Sequence, residues 1–112
     1  MEVVKEMLLI KRKEGLSREE FSKQYEEVHA PLILKHCPTI KRYVRNYIAS
    51  TLGAEEPDFD CITEVWYDDM EGFRALGKFY NSEAGKVIRD SEESFMDGSK
   101  LVVLLVDEKV SK

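Results

Sequence analysis

His29 is the residue whose type and position best suit acid–base chemistry. It flanks an apolar series, Phe21, Tyr25, Val28 and Leu32, that recurs at helical spacing, and it comes just before Pro31. Pro31 removes a backbone N–H and crowds the carbonyl four residues earlier, so the helix is expected to kink or restart near Ala30. The end of a helix favours the imidazolium, and a histidine titrating near neutrality can act as general acid or base without a cofactor. The plainer alternative is a histidine that satisfies carbonyls freed by the kink. Glu64 lies between Ile62 and Trp66 on one strand face. If that face lies under the helices, desolvation raises its carboxyl and suits it to proton transfer or to orienting His29. The competing fate is an ion pair with Lys11, Arg42 or Arg45. Trp66 on the same face is then core or pocket wall. Tyr43 and Tyr47 share a face of another strand, where a phenol in an apolar pocket can hydrogen-bond a carbonyl or enolate oxygen; core or dimer packing is the commoner role. His36 and Cys37 precede Pro38 in a loop and read as surface residues. Asp90 lies off the apolar stripe of its helix and reads as solvated.

The elements that must position these residues follow from periodicity. Residues 3–11 form a short apolar strand closed by a charged turn through Gly15. Ser17 and Glu20 have the capping-box spacing that opens the first helix. After Pro38, residues 40–50 alternate with a period of two and make a second strand; residues 59–67 make a third, joined to it by a loop with Gly53 and Pro57. Asp68 or Asp69 caps the next helix, with Met70, Phe73, Leu76 and Tyr80 inward. Ser82 caps a continuation carrying Ala84, Val87, Ile88, Ser91 and Phe95, which Gly98 ends. Residues 101–106 are the fourth strand. This order, β-α-β-β-α-β, is the ferredoxin-like α+β pattern, with two helices on one face of a four-stranded antiparallel sheet. Residues 7–10 and 101–106 are apolar on both faces, and no further helix remains to cover the second face. A homodimer through the sheet face is the expected solution.

Composition excludes several classes. The 112 residues suit one domain, 1–112, and 17 Lys and Arg against 22 Asp and Glu give a net charge of -5, so neither nucleic acid nor anionic lipid is an expected partner. The longest apolar runs fall far short of the roughly 20 residues that span a bilayer, and no charged-then-apolar leader is present; no membrane association and a cytoplasmic location are expected. Cys37 and Cys61 form no CxxC pair and are read as reduced thiols. There is no phosphate loop, no GxSxG and no HExxH, and His29 and His36 make no convincing metal site, so no cofactor and no metal are expected.

Several separated motifs agree in order with one family. Lys11-Arg12, Gly15-Leu16-Ser17-Arg18-Glu19-Glu20-Phe21 and Val28-His29-Ala30-Pro31-Leu32 are followed by the strand from Ile40 to Tyr47, by Glu64-Val65-Trp66 and by Phe95-Met96-Asp97. Together they resemble the EthD family across nearly the whole chain. The resemblance implies the dimeric α+β barrel fold. Proteins of this fold include some tied to ether degradation, polyketide cyclases and dehydratases, and muconolactone isomerases, so the fold alone does not settle activity. Where the family often carries an acid four residues before the Phe of Phe-x-Asp, this chain has Ser91, with Asp90 one step away.

The expected function is a small cofactor-independent enzyme of the cyclase, dehydratase, isomerase or lyase kind, acting on an apolar, aromatic or polyketide-like molecule. His29 would be the acid/base and Glu64 its orienting partner, with Tyr43, Tyr47 and Trp66 shaping the substrate pocket. The alternative is a non-catalytic protein that binds a hydrophobic small molecule in an oxidative degradation pathway. A cofactor-free monooxygenase is a minor branch.

Overall fold

The computed structural model describes residues 3–53 and 55–112. Strand β1 (Val4–Ile10) runs into a turn where Gly15 takes φ 92°, a left-handed conformation that glycine adopts at no steric cost. Ser17 then caps α1 (Arg18–Gln24), and its reciprocal bonds with Glu20 complete the capping box.

The helix does not stop at Pro31. It widens into a π-helical turn over Tyr25–His29, where the Ala30 N–H reaches back five residues to the Tyr25 carbonyl, and continues as α2 (Ala30–His36). The expected break near Ala30 is therefore a π turn: Pro31 supplies no donor, and the wider turn absorbs the gap without ending the helix. The extra residue also shifts the inward face. Phe21 and Tyr25 are buried as expected, but the next inward positions are His29 and Ile33, and Val28 is 45% exposed.

Strand β2 (Ile40–Tyr47) carries a bulge between Ile40 and Arg42 and pairs antiparallel with β3 (Cys61–Tyr67). Asp69 caps α3 (Met70–Tyr80) by accepting from the Gly72 N–H at 2.9 Å. Residues 82–85 form a turn instead of the expected helical continuation, with Ser82 Oγ accepting from the Gly85 N–H. Gly85 packs so tightly on the Phe79 carbonyl that a Cβ there would overlap it. Helix α4 (Lys86–Phe95) follows and ends before Met96; Gly98 instead begins a 3-10 turn (Gly98–Lys100) that leads into β4 (Val102–Val106).

The sheet order is β2-β3-β1-β4, with every neighbouring pair antiparallel. Both helical segments cover one face, as the ferredoxin-like α+β pattern requires. Register assigns each strand residue to a face. Thr63 lies opposite Leu8 and Arg45, and this row faces the helices; Glu64 lies opposite Met7 and Val44, and that row faces away. Cys61, Thr63, Val65 and Tyr67 are accordingly buried, while Ile62, Glu64 and Trp66 are only partly so. The core gathers Ile10, Phe21, Tyr25, Ala30, Cys61, Phe95 and Met96. Asp60 stitches three elements together: it accepts from the Arg12 backbone N–H at 2.9 Å and from its guanidinium, with Lys11 and Arg18 alongside.

Candidate functional site

A cavity of about 390 Å³ lies between the helical layer and the sheet, within the usual size range of small-molecule sites. Its wall is mostly aliphatic and aromatic, built from Leu8 and Ile10 of β1, Val65 of β3, Phe73 and Leu76 of α3 and Ile88 of α4. Against this lining stand a few polar groups: Glu6, Tyr25, His29, Tyr43, Thr63, Tyr80 and Glu92.

His29 is 3% exposed and packs against the Phe95 ring at 4.9 Å and the Tyr25 ring at 5.6 Å. Its Nδ1 lies 2.8 Å from Ser91 Oγ on α4. No hydrogen bond engages Nε2 among the described residues, yet no buried polar side-chain atom there is left without a partner, so Nε2 opens to the cavity. Burial pushes the imidazole down to about 4, so the ring is neutral at pH 7. This overturns the expectation of an imidazolium at a helix end: the helix runs on to His36, and the ring is in the core.

The tyrosines form a relay. Tyr43 donates to the Tyr25 hydroxyl at 2.9 Å, and Tyr25 meets Thr63 Oγ1 at 2.8 Å. Burial raises both phenols above their ordinary range, so both stay protonated. Tyr47 shares this side of β2 but turns its hydroxyl outward to Glu26 at 2.6 Å, and its ring packs on Phe21 in the core.

Two cavity carboxyls were not singled out by sequence. Glu6 accepts from the Tyr67 hydroxyl at 3.1 Å, and Glu92 accepts from Tyr80. Burial raises both carboxyls, and burial together with the Glu92 bond pushes Tyr80 up to about 12. Glu6 shares a face of β1 with the apolar Val4 and Leu8, and Glu92 lies one turn from Ile88 on α4. Those positions were the available signal.

Glu64 and Trp66 are not in this site. Glu64 points to the opposite face of the sheet, 2.7 Å from Lys5 Nζ and 2.9 Å from Asn46 Nδ2, and these partners hold its carboxyl below the usual range. It cannot orient His29; Ser91 holds that place. Trp66 lies between Lys5 and Arg42, whose charged groups sit 4.5 and 4.7 Å from its ring. Among the sequence candidates, the fold thus brings together His29 and Tyr43 and sends Glu64 and Trp66 to the far face. Asp90 is exposed and pairs with Lys86 at 2.7 Å, as a solvated residue should. His36 stacks on Phe79, and Cys37 and Cys61 are buried free thiols pushed up to about 11 by burial. No cluster of three or more potential metal ligands occurs among the described residues.

An antiparallel β-α-β-β-α-β sheet with its helices on one face and an apolar pocket between them defines a ferredoxin-like fold. The chain belongs to the EthD family, whose domain model matches residues 13–99. No curated protein matches it. It is similar to a crystal structure of an ethyl tert-butyl ether D (EthD) family protein from Bacillus halodurans C-125, at 23% identity, TM-score 0.72, over 96% of this chain and 100% of that one. A dimeric ferredoxin-like protein of unknown function from Bacteroides fragilis shares the fold at 8% identity and TM-score 0.64, over 95% and 96% of the two chains. So do SnoaB from Streptomyces nogalater, a cofactor-independent oxygenase (10% identity, TM-score 0.67, 99% and 97%), and hydroxynitrile lyase from Passiflora edulis (13%, 0.63, 98% of each). No helix among the described residues is long and apolar enough to cross a membrane.

Proposed function

We propose that this EthD-family protein is a small cofactor-independent enzyme that moves a proton on an apolar, aromatic or polyketide-like molecule held between sheet and helices. The observation that carries this reading is a neutral, buried His29 whose Nδ1 is engaged by Ser91 and whose other nitrogen faces an apolar cavity. With Nδ1–H donated to Ser91 Oγ, the Nε2 lone pair is the base. The imidazolium formed on proton abstraction is poorly solvated and returns its proton readily, which suits isomerase, cyclase, dehydratase or lyase steps. Glu6 and Glu92 share the wall and offset its charge. Tyr43 shapes the pocket and, through Tyr25, fixes the floor. The oxygenase and lyase that share the fold support small-molecule chemistry in such a pocket.

A panel of aromatic ketones and hydroxylated polyketide fragments tests this, with NMR following proton exchange or product. Substrate turnover should fall by at least about a hundredfold in His29→Ala, the usual worth of a positioned acid/base. Unchanged turnover in that variant sinks the assignment. Oxygen uptake during turnover would move the reaction to the oxygenase branch.

A non-catalytic binding role is favoured by one feature: the Tyr43 proton is already committed to the Tyr25 hydroxyl, so Tyr43 does not stand ready to stabilise an oxyanion. Tight binding without conversion across the panel would support that role.

The assembly that goes with either reading is a homodimer through the open sheet face. Val102, Leu104 and the row of Met7 and Leu9 lie on that face, and Val102 and Leu104 are 42% and 44% exposed in the single chain.

A further inference from the structure

We infer that the cavity selects neutral or cationic molecules carrying hydroxyl or amine donors and rejects anions such as carboxylates and phosphates. The inference rests on the reading that this cavity is the ligand site, and it names the class of ligand the wall can accept.

The argument is a count of charges and protons. Among the described residues, no lysine or arginine lines the cavity. Arg45 and Arg89 touch lining residues but are committed elsewhere, Arg45 to Glu26 and the Tyr43 carbonyl, Arg89 to the carbonyls of Tyr80 and Ser82. Lys5 lies across the sheet with Glu64 and Glu108. A carboxylate or phosphate entering the pocket would lose its water, find no countercharge, and meet Glu6 and Glu92 instead.

The hydrogen-bond inventory points the same way. Tyr67 gives its proton to Glu6, Tyr80 to Glu92 and Tyr43 to Tyr25. Tyr25, having accepted from Tyr43, shares one further bond with Thr63, in which either hydroxyl can be the donor. Each bond to a carboxyl occupies one of its two oxygens, so Glu6 and Glu92 each keep one for a ligand, and Tyr43 keeps a lone pair. His29 can present either a donor or an acceptor, and the Tyr25–Thr63 pair keeps one hydroxyl proton beyond the bond it shares. Apart from His29 and the Tyr25–Thr63 pair, the polar part of the wall therefore consists of acceptors, at Glu6, Glu92 and Tyr43, and their complement is a donor on an apolar body. A ligand without donors would leave these acceptors unpaired against an apolar wall.

Calorimetric titration of the full-length protein with four naphthalene probes tests the inference. 2-Naphthol and 2-naphthylmethylammonium should bind roughly tenfold or more tighter than 2-naphthoate, and the methyl ether of 2-naphthol should lose several-fold for want of its donor. Glu92→Gln keeps an acceptor for Tyr80 while removing the charge and adding a donor, so the penalty on 2-naphthoate should shrink; Glu6→Gln should act in the same direction. The chain has two histidines, so ring signals report location: a probe in the cavity moves His29 and leaves His36 in place. If 2-naphthoate moves His29 and binds as tightly as 2-naphthol, the selectivity is wrong although the cavity remains a ligand site. If no probe moves His29, the ligand site itself is misplaced and the inference falls with it.

Discussion

His29 Nδ1 and Ser91 Oγ meet at 2.8 Å across the contact between the π turn and α4. This bond ties the imidazole's tautomer to a neutral hydroxyl. A serine neither fixes the tautomer as firmly as a carboxylate nor raises the ring's basicity. Ser91→Ala should therefore leave the fold intact at a cost of about 1 kcal/mol, while changing the tautomer balance of His29. Nitrogen chemical shifts of the imidazole in both proteins check this; identical shifts would mean the bond sets nothing.

Burial of neutral His29 makes stability depend on pH. Its folded value of about 4 lies below the ordinary 6.5, so between these values the unfolded chain binds more protons than the folded one. Stability from this group is present above pH 6.5 and is lost as pH falls towards 4, by about 3 kcal/mol at most. Glu6 and Glu92, raised by burial, act with the opposite sign. Urea unfolding of wild type and His29→Gln between pH 4.5 and 7.5 isolates the histidine: the wild type should lose more stability on acidification than the variant.

Tyr25 is the hub of the buried relay, because Tyr43 and Thr63 both bond its hydroxyl. Tyr25→Phe leaves two buried partners unmatched and should cost about 2 kcal/mol, more than Tyr43→Phe, which leaves only an acceptor unmet. Chemical denaturation of the two variants checks the order; equal losses would mean that water replaces the Tyr25 hydroxyl.

Asp60 is 5% exposed and faces Lys11, Arg12 and Arg18. Asp60→Asn removes the buried charge that offsets Lys11 and Arg12 and shares Arg18 with Glu56, and should destabilise the fold by about 2 to 3 kcal/mol. Because these cations are partly solvent-exposed, high salt should recover part of the loss. A thermal melt at low and high salt reads both effects.

Leu104 sits at the centre of the outward row of β4, opposite Met7. Leu104→Asp should convert a dimer to a monomer, because the partner's apolar face cannot solvate a carboxylate. Light scattering at several concentrations decides the matter. A wild type that is already monomeric would remove the sheet-face dimer.

By itself the sequence determined the local elements and their order. The Ser17–Glu20 capping box, the period-two strands and the Asp69 cap are written within a few residues of one another, and the fold obeys them. Its position beside the apolar stripe of Phe21, Tyr25, Val28 and Leu32 likewise placed His29 at the edge of the core. Tertiary structure alone decided which side of β3 is covered. A period of two defines two faces but not which one the helices choose; that is set by register with β1 and β2, residues far apart in the chain, and it sent Glu64 and Trp66 away from His29. The π turn was equally hidden. Helical periodicity assumes 3.6 residues per turn, and one added residue rotated Val28 outward and His29 and Ile33 inward. Glu6 and Glu92 joined the site through packing: only the tertiary structure reveals that two acids far apart in the chain share one cavity wall.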